Sequence, residues 1–266
     1  MDAAPPWLHR ALPHDPRPRR LPGVQPLDPA DWLRVDEAFG AQMALRDRLV
    51  AERPEAVLAL LPEAREAALE AMEETASALA RLPGYERRAD VLNRPDGVAV
   101  ALDPSDPMAA LARMGQADIC LMLPGADEYV LAAGALCFPA SWTLSQKLGR
   151  PLTGVHRPVA SYDADLARRV DRLFRGIAAG RPLWRSNALV YTDPALFLPR
   201  SEGEGRARGE GTRRYLRSER QCLLRLPRSG AVAFTIHTYL VAVEDLPTAW
   251  RSAFDPEPDG AAKRTA

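Results

Sequence analysis

Four histidines and three cysteines are the soft metal ligands this chain offers, and their spacing limits which metals it can hold. His9 and His14 fall in a proline-rich arm, His156 in KLGRPLTGVHRPV, and His237 in AVAFTIHTYL. There is no HExxH, no pair of histidines at metal spacing and no CxxC, so a multi-histidine or zinc-thiolate centre lacks support. A haem iron needs a single protein ligand, commonly histidine. The ligand arithmetic therefore permits haem where it disfavours most other metals. Cys120, Cys137 and Cys222 are odd in number and far apart. That argues against a disulfide framework and for a reducing compartment, with buried thiols as the default.

His156 stands between Pro151 and Pro158, in a segment too broken for a regular helix. Period-2 alternation along AVAFTIHTYL puts Phe234, Ile236 and Thr238 on one face and Thr235, His237 and Tyr239 on the other. The second face reads either as solvent-exposed or as a pocket wall. His9 and His14, isolated in the arm, are poor candidates for a site. No GxSxG elbow, nucleotide-binding GxGxxG or GxxxxGK[ST] offers a competing chemistry.

The elements that must position these residues read as α+β. Residues 1–30 form a Pro-rich arm. Helix is expected from Asp31, as a cap, to about Leu82, with breaks at Pro54 and Pro62. A short strand at Val98–Leu102 and a short helix in PMAALARM follow. ADICLMLPGADEYVLAAGALCFP reads as a hairpin with a PGADE turn. SYDADLARRVDRLFRGIAAG reads as a helix ending at Gly180, and PLWRSNALVY as a strand. Residues 201–214 are expected to be a mobile charged loop. Two long strands then flank a Pro-Arg-Ser-Gly turn, and 251–266 is expected to be a disordered tail. The whole of 31–250 reads as a single domain.

Bulk properties exclude some partners. Lys+Arg and Asp+Glu both number 35, so no global positive field draws in nucleic acid or an anionic membrane. No run approaches the roughly 20 apolar residues a membrane span needs, and the N-terminus lacks the apolar stretch of a signal peptide. A cytoplasmic location is expected.

Three blocks in order, LCFPASWTLSQKLGRPLTGVHRPV, DRLFRGIAAGRPLWRSN and YLRSERQCLLRLPRSGAVAFTIHTYL, resemble the haem-binding subunit family of the haem-dependent oxidative N-demethylases. The resemblance runs from roughly Pro22 to Leu246 and is most specific over Glu219–Tyr239. It implies a PAS-like α+β fold, an antiparallel sheet with the N-terminal helices packed on it, that holds haem b. It also implies a monooxygenase that uses dioxygen to remove an N-methyl group from a secondary amine such as dimethylamine, releasing formaldehyde. Electrons would come from a separate flavin and iron–sulfur reductase.

By the same resemblance His156 is the axial iron ligand, with His237 as the alternative. Its second ring nitrogen should bond a backbone carbonyl or a carboxylate. Lys147, Arg150, Arg157, Arg217, Arg220 and Arg225 are candidates to meet the haem propionates. Arg220 leads them, because it lies in the most specific block and guanidinium suits carboxylate geometry. Trp142, Tyr162, Trp184 and Tyr239 could wall a pocket for a cationic amine. Ala160, Ser161 and Ala188 depart from the family pattern, as does Ala117 before Asp118, which puts dimethylamine itself in doubt. Two other readings stay open: a haem-binding PAS sensor or silent family member, and an interaction protein without haem that pairs through its 31–82 helices.

Overall fold

A computed structural model of the chain describes residues 4–17, 19–157, 162–204 and 213–254. Most of the 201–214 loop, the 255–266 part of the tail, and Ala160 and Ser161 lie outside the described residues.

In the three longest strands, residues 183–191, 215–225 and 232–242, apolar side chains interleave with polar ones, whereas 118–124 and 129–135 are almost continuously apolar. β1 (Gln25–Pro26), β2 (Leu58–Leu60), β6 (Asp118–Pro124), β7 (Tyr129–Ala135), β8 (Leu183–Tyr191), β9 (Tyr215–Arg225) and β10 (Val232–Ala242) form one sheet. Its order is β1-β8-β9-β10-β6-β7-β2, with every neighbouring pair antiparallel. The hairpin expected from ADICLMLPGADEYV is β6–β7, and the Pro-Arg-Ser-Gly turn joins β9 to β10. A second sheet of β3 (Glu86–Arg88), β4 (Val91–Asn93) and β5 (Ala99–Ala101) holds three strands where alternation had pointed to one.

Two helices start where a side chain satisfies a free N–H group, while the other described helices have no side-chain cap. Asp106 caps α4 (Pro107–Met114), its carboxylate accepting from Ala109 N at 3.2 Å. Two further helices lie in the expected N-terminal stretch, α1 (Phe39–Glu52) and α3 (Arg65–Leu79), with a single-turn α2 (Pro54–Val57) between them. Two expectations fail here. Asp31 caps nothing: it pairs with Arg34 and Arg220, and α1 begins eight residues later, at Phe39. Leu58–Leu60 is strand rather than helix, because Pro62 holds Leu61 extended (φ −76°, ψ 145°) and the segment pairs with β7 as an edge strand.

The sheet has two differently covered faces. On one, Ile119, Leu121, Cys222 and Ala233 pack beneath α1, α3 and α4, within a core that includes Met43, Ala68, Ala76 and Leu111. On the other, Cys120, Leu223 and Ile236 pack with Leu144, Leu152, Phe174 and Ile177. The apolar stripes of α1 and α3 are thus consumed inside the domain. Among the described residues, Val35 is the one large apolar side chain that is exposed. No described helix is long and apolar enough to cross a membrane.

Candidate functional site

The second face carries the His156 segment, and backbone bonds pin that segment to β7. α5 (Leu144–Lys147) and α6 (Leu152–His156) are joined by a turn at Gly149, whose φ of 75° suits a residue without Cβ. Gly149 N donates to Leu131 O at 2.8 Å, and Leu131 N returns a bond to Arg150 O at 3.0 Å. At the start of α6 the Glu128 carboxylate accepts from Thr153 N and Thr153 Oγ1, each at 2.9 Å. The prolines therefore flank a single helical turn rather than a loop, and His156 is its last residue.

His156 Nδ1 lies 2.9 Å from Leu152 O. A carbonyl can only accept, so Nδ1 carries the proton and neutral His156 presents a bare Nε2 lone pair. Among the described residues Nε2 makes no hydrogen bond. Burial, then the Lys147 and Arg185 charges, lower the pKa of His156 and keep the ring neutral, against the raising effect of the Leu152 bond. Tyr162 stacks on the imidazole at 4.4 Å and 11°. Trp142, Val155 and Val170 pack around the adjoining apolar cluster. α7 (Ala164–Gly176), capped by Asp163 at Leu166 N, closes the outer side. Arg225 ties its C-terminal end to the sheet through Phe174 O, Ile177 O and Tyr129 Oη.

Three of the expected cations meet at one carboxylate. Glu202 accepts from Lys147 Nζ at 2.5 Å and Arg150 at 2.8 Å on one oxygen, and from Arg157 at 3.4 Å on the other. Lys147 is 3% exposed, and Glu202 gives it the counterion that a buried side-chain cation calls for. The bond from Lys147, then that from Arg150, holds the Glu202 carboxyl down at about 2.

Arg220, Trp184, Tyr239 and His237 sit on the opposite face, because side chains alternate along a strand. Arg220, in register with Ser186 and His237, donates to Asp31 O at 2.6 Å and Asp31 Oδ2 at 3.1 Å, and lies over the Trp184 ring at 5.5 Å. It therefore cannot act with His156 on one ligand, contrary to its expected lead among the propionate partners. Trp184, Tyr239 and His237 share its face. His237 Nε2 is 2.7 Å from Asp36 Oδ2, which His9 Nε2 also approaches at 3.0 Å. Burial alone would raise the Asp36 carboxyl, but the His237 and His9 bonds overrule it and hold the group ionised. Ala188 packs beside Tyr239 there, so its small size opens nothing at His156. Arg217 spends its guanidinium on Leu196 O and Phe138 O.

Sequence reasoning missed several residues. His9 is 2% exposed, with its Nδ1 accepting from Leu240 N, and His14 bonds Ser218 Oγ at 2.9 Å. The arm places both in a buried network, not in a mobile segment. On the His156 face, Arg185 donates to Gln221 Oε1 at 2.8 Å, and Gln221 donates to Glu219 at 3.0 Å. Alternation within SERQC could have separated Glu219 and Gln221 from Arg220. No pattern flagged Glu202, which lay in a charged low-complexity run. The three cysteines are buried; burial pushes the Cys137 thiol up to about 12 and raises Cys120 and Cys222 as well, which favours the neutral thiols expected of packed interior cysteines.

Among the described residues no three His, Cys, Asp or Glu side chains converge to hold a metal ion by themselves. Iron at His156 would take its other ligands from a porphyrin. The chain matches a family model described as haem-dependent oxidative N-demethylase, alpha subunit-like, over residues 23–253.

Proposed function

The chain belongs to the haem-dependent oxidative N-demethylase, alpha subunit-like family, and we propose that it is a haem b protein of PAS-like fold with His156 as the axial ligand. The observation that carries this reading is the state of that imidazole. Its Nδ1 proton is committed to Leu152 O, its Nε2 has no hydrogen-bond partner among the described residues, and burial favours the neutral ring. An outer partner that fixes tautomer and ring orientation is what a ligating histidine needs. Lys147, Arg150 and Arg157 would receive the propionates, and Arg185, which lowers the His156 pKa from nearby, adds a further positive charge. Trp142 and Tyr162 would line the pocket, while Trp184, Tyr239 and the alternative ligand His237 stand behind the sheet.

The reaction we assign is removal of an N-methyl group from a secondary amine with dioxygen and reductant, yielding the shorter amine and formaldehyde. Haem supplies dioxygen activation; this chain holds the imidazole, excludes water with the apolar cluster that includes Leu152 and Phe174, and gives the amine an aromatic wall. Electrons would come from a separate flavin and iron–sulfur reductase component, in the cytoplasm. Haem-supplemented expression of the protein and its His156→Ala variant tests the ligand. The expected result is a stoichiometric, carbon monoxide-sensitive Soret band that the variant loses. Undiminished haem loading in the variant would remove His156 from the role.

A further inference from the structure

Glu202 occupies the place where a haem carboxylate would be expected, and this gives the site a property beyond cofactor binding. We propose that Glu202 is an internal stand-in for a haem propionate, holding the Lys147, Arg150 and Arg157 cluster closed until the cofactor displaces it. The inference rests on the reading of His156 and its cations as the haem site.

Three observations support it. First, the charges at this cluster are unbalanced: three cations face one carboxylate, while among the described residues Arg185 hydrogen-bonds the neutral Gln221 amide, with the Glu219 carboxylate one residue beyond. A surplus of that sign attracts anions. Second, the seat is already filled. Lys147 and Arg150 both donate to the same Glu202 oxygen, at 2.5 and 2.8 Å, and the Lys147 side chain is 4% exposed. An incoming carboxylate would have to take the same N–H groups, so it competes with Glu202 rather than joining it. Third, the segment bearing Glu202 is held by a few polar bonds. Glu202 N donates to Gln146 Oε1 at 2.9 Å, and Thr143 Oγ1 donates to Arg200 O at 3.0 Å. Its neighbours Ser201 and Glu204 line an open groove of about 620 Å³, which gives the segment room to swing out.

Burial of Lys147 explains why a stand-in is needed. Without a counterion the ammonium would be desolvated and unpaired, which disfavours the folded cofactor-free protein. The chain supplies that counterion itself, and apparent haem affinity is then the intrinsic affinity multiplied by the fraction of molecules in which Glu202 is out.

The test is an absorbance titration of ferric haem, and of haem dimethyl ester, into cofactor-free protein carrying Glu202→Gln, Glu202→Ala or His156→Ala. The expected result is that both Glu202 variants take up haem about tenfold more tightly than the parent. That advantage should vanish with the dimethyl ester, which has no propionate charge to compete. Equal or weaker haem binding by the Glu202 variants, or an advantage that persists with the ester, overturns the inference while leaving the His156 site intact. Failure of the parent protein to bind haem, or binding that His156→Ala leaves unchanged, overturns the site and the inference with it.

Discussion

Asp118→Asn tests the buried ion pair that anchors the chain entering the site. Arg46 and Asp118 have side chains that are 0% exposed, 2.8 Å apart. Arg46 also donates to Ala112 O at 2.9 Å and Ala117 O at 2.8 Å. Asp118 accepts from Cys137 N at 2.7 Å and Phe138 N at 3.0 Å. Phe138 is thereby gripped through its N–H, through its ring under the Arg46 guanidinium at 4.9 Å, and through its carbonyl by Arg217. From Phe138 the chain runs through Trp142 into α5 and Lys147. Asparagine can supply only one acceptor oxygen; its amide would face donors, and Arg46 would keep a buried charge without a counterion. Breaking one side of such a pair costs about 3–5 kcal/mol. For a domain of this size that is a fall in Tm of roughly 6–20 °C. Urea unfolding should show a lower midpoint with an unchanged slope. Adding Arg46→Met, which removes the stranded charge, should restore part of the loss. A cost for Asp118→Asn below about 1 kcal/mol would refute this account of the pair.

Acid should weaken the fold through His14. Burial, followed by the Arg220 and Arg34 charges, lowers its pKa from 6.5 to about 4. Between those values the unfolded chain binds a proton that the folded one refuses, so stability is full above pH 6.5 and lost as pH falls toward 4. The loss is at most about 3 kcal/mol; unfolding midpoints against pH should show a shallower slope for His14→Phe, and parallel slopes would count against the assignment. Gly134→Ala places a Cβ 2.7 Å from Leu144 Cδ1, a side chain only 1% exposed. It should cost about 1–3 kcal/mol by overpacking and, because Leu144 opens α5, weaken haem uptake through Lys147. Thermal unfolding and haem titration of the variant check both effects, and unchanged stability would show that Leu144 can yield.

What local pattern can decide, the sequence by itself decided. The β6–β7 hairpin, the β9–β10 pair, α4 behind Asp106 and α7 behind Asp163 follow from alternation, turn residues and caps, all of which act over a few neighbours. His156 became the candidate through the family resemblance rather than through local pattern, although its tautomer is set by a carbonyl only four residues away. Pro62 also gave a warning in the sequence, but only pairing with β7 could turn Leu58–Leu60 into strand. Assembly decided the rest. Alternation shows that Arg220 and Glu219 point opposite ways; which of them meets His156 depends on which layer covers which side of the sheet. Glu202 and Lys147 are 55 residues apart, and His237 and Asp36 are 201 apart. Such charges find partners only after apolar burial has brought their segments together. Sequence patterns carry short-range geometry, whereas electrostatic pairing is a property of the packed interior.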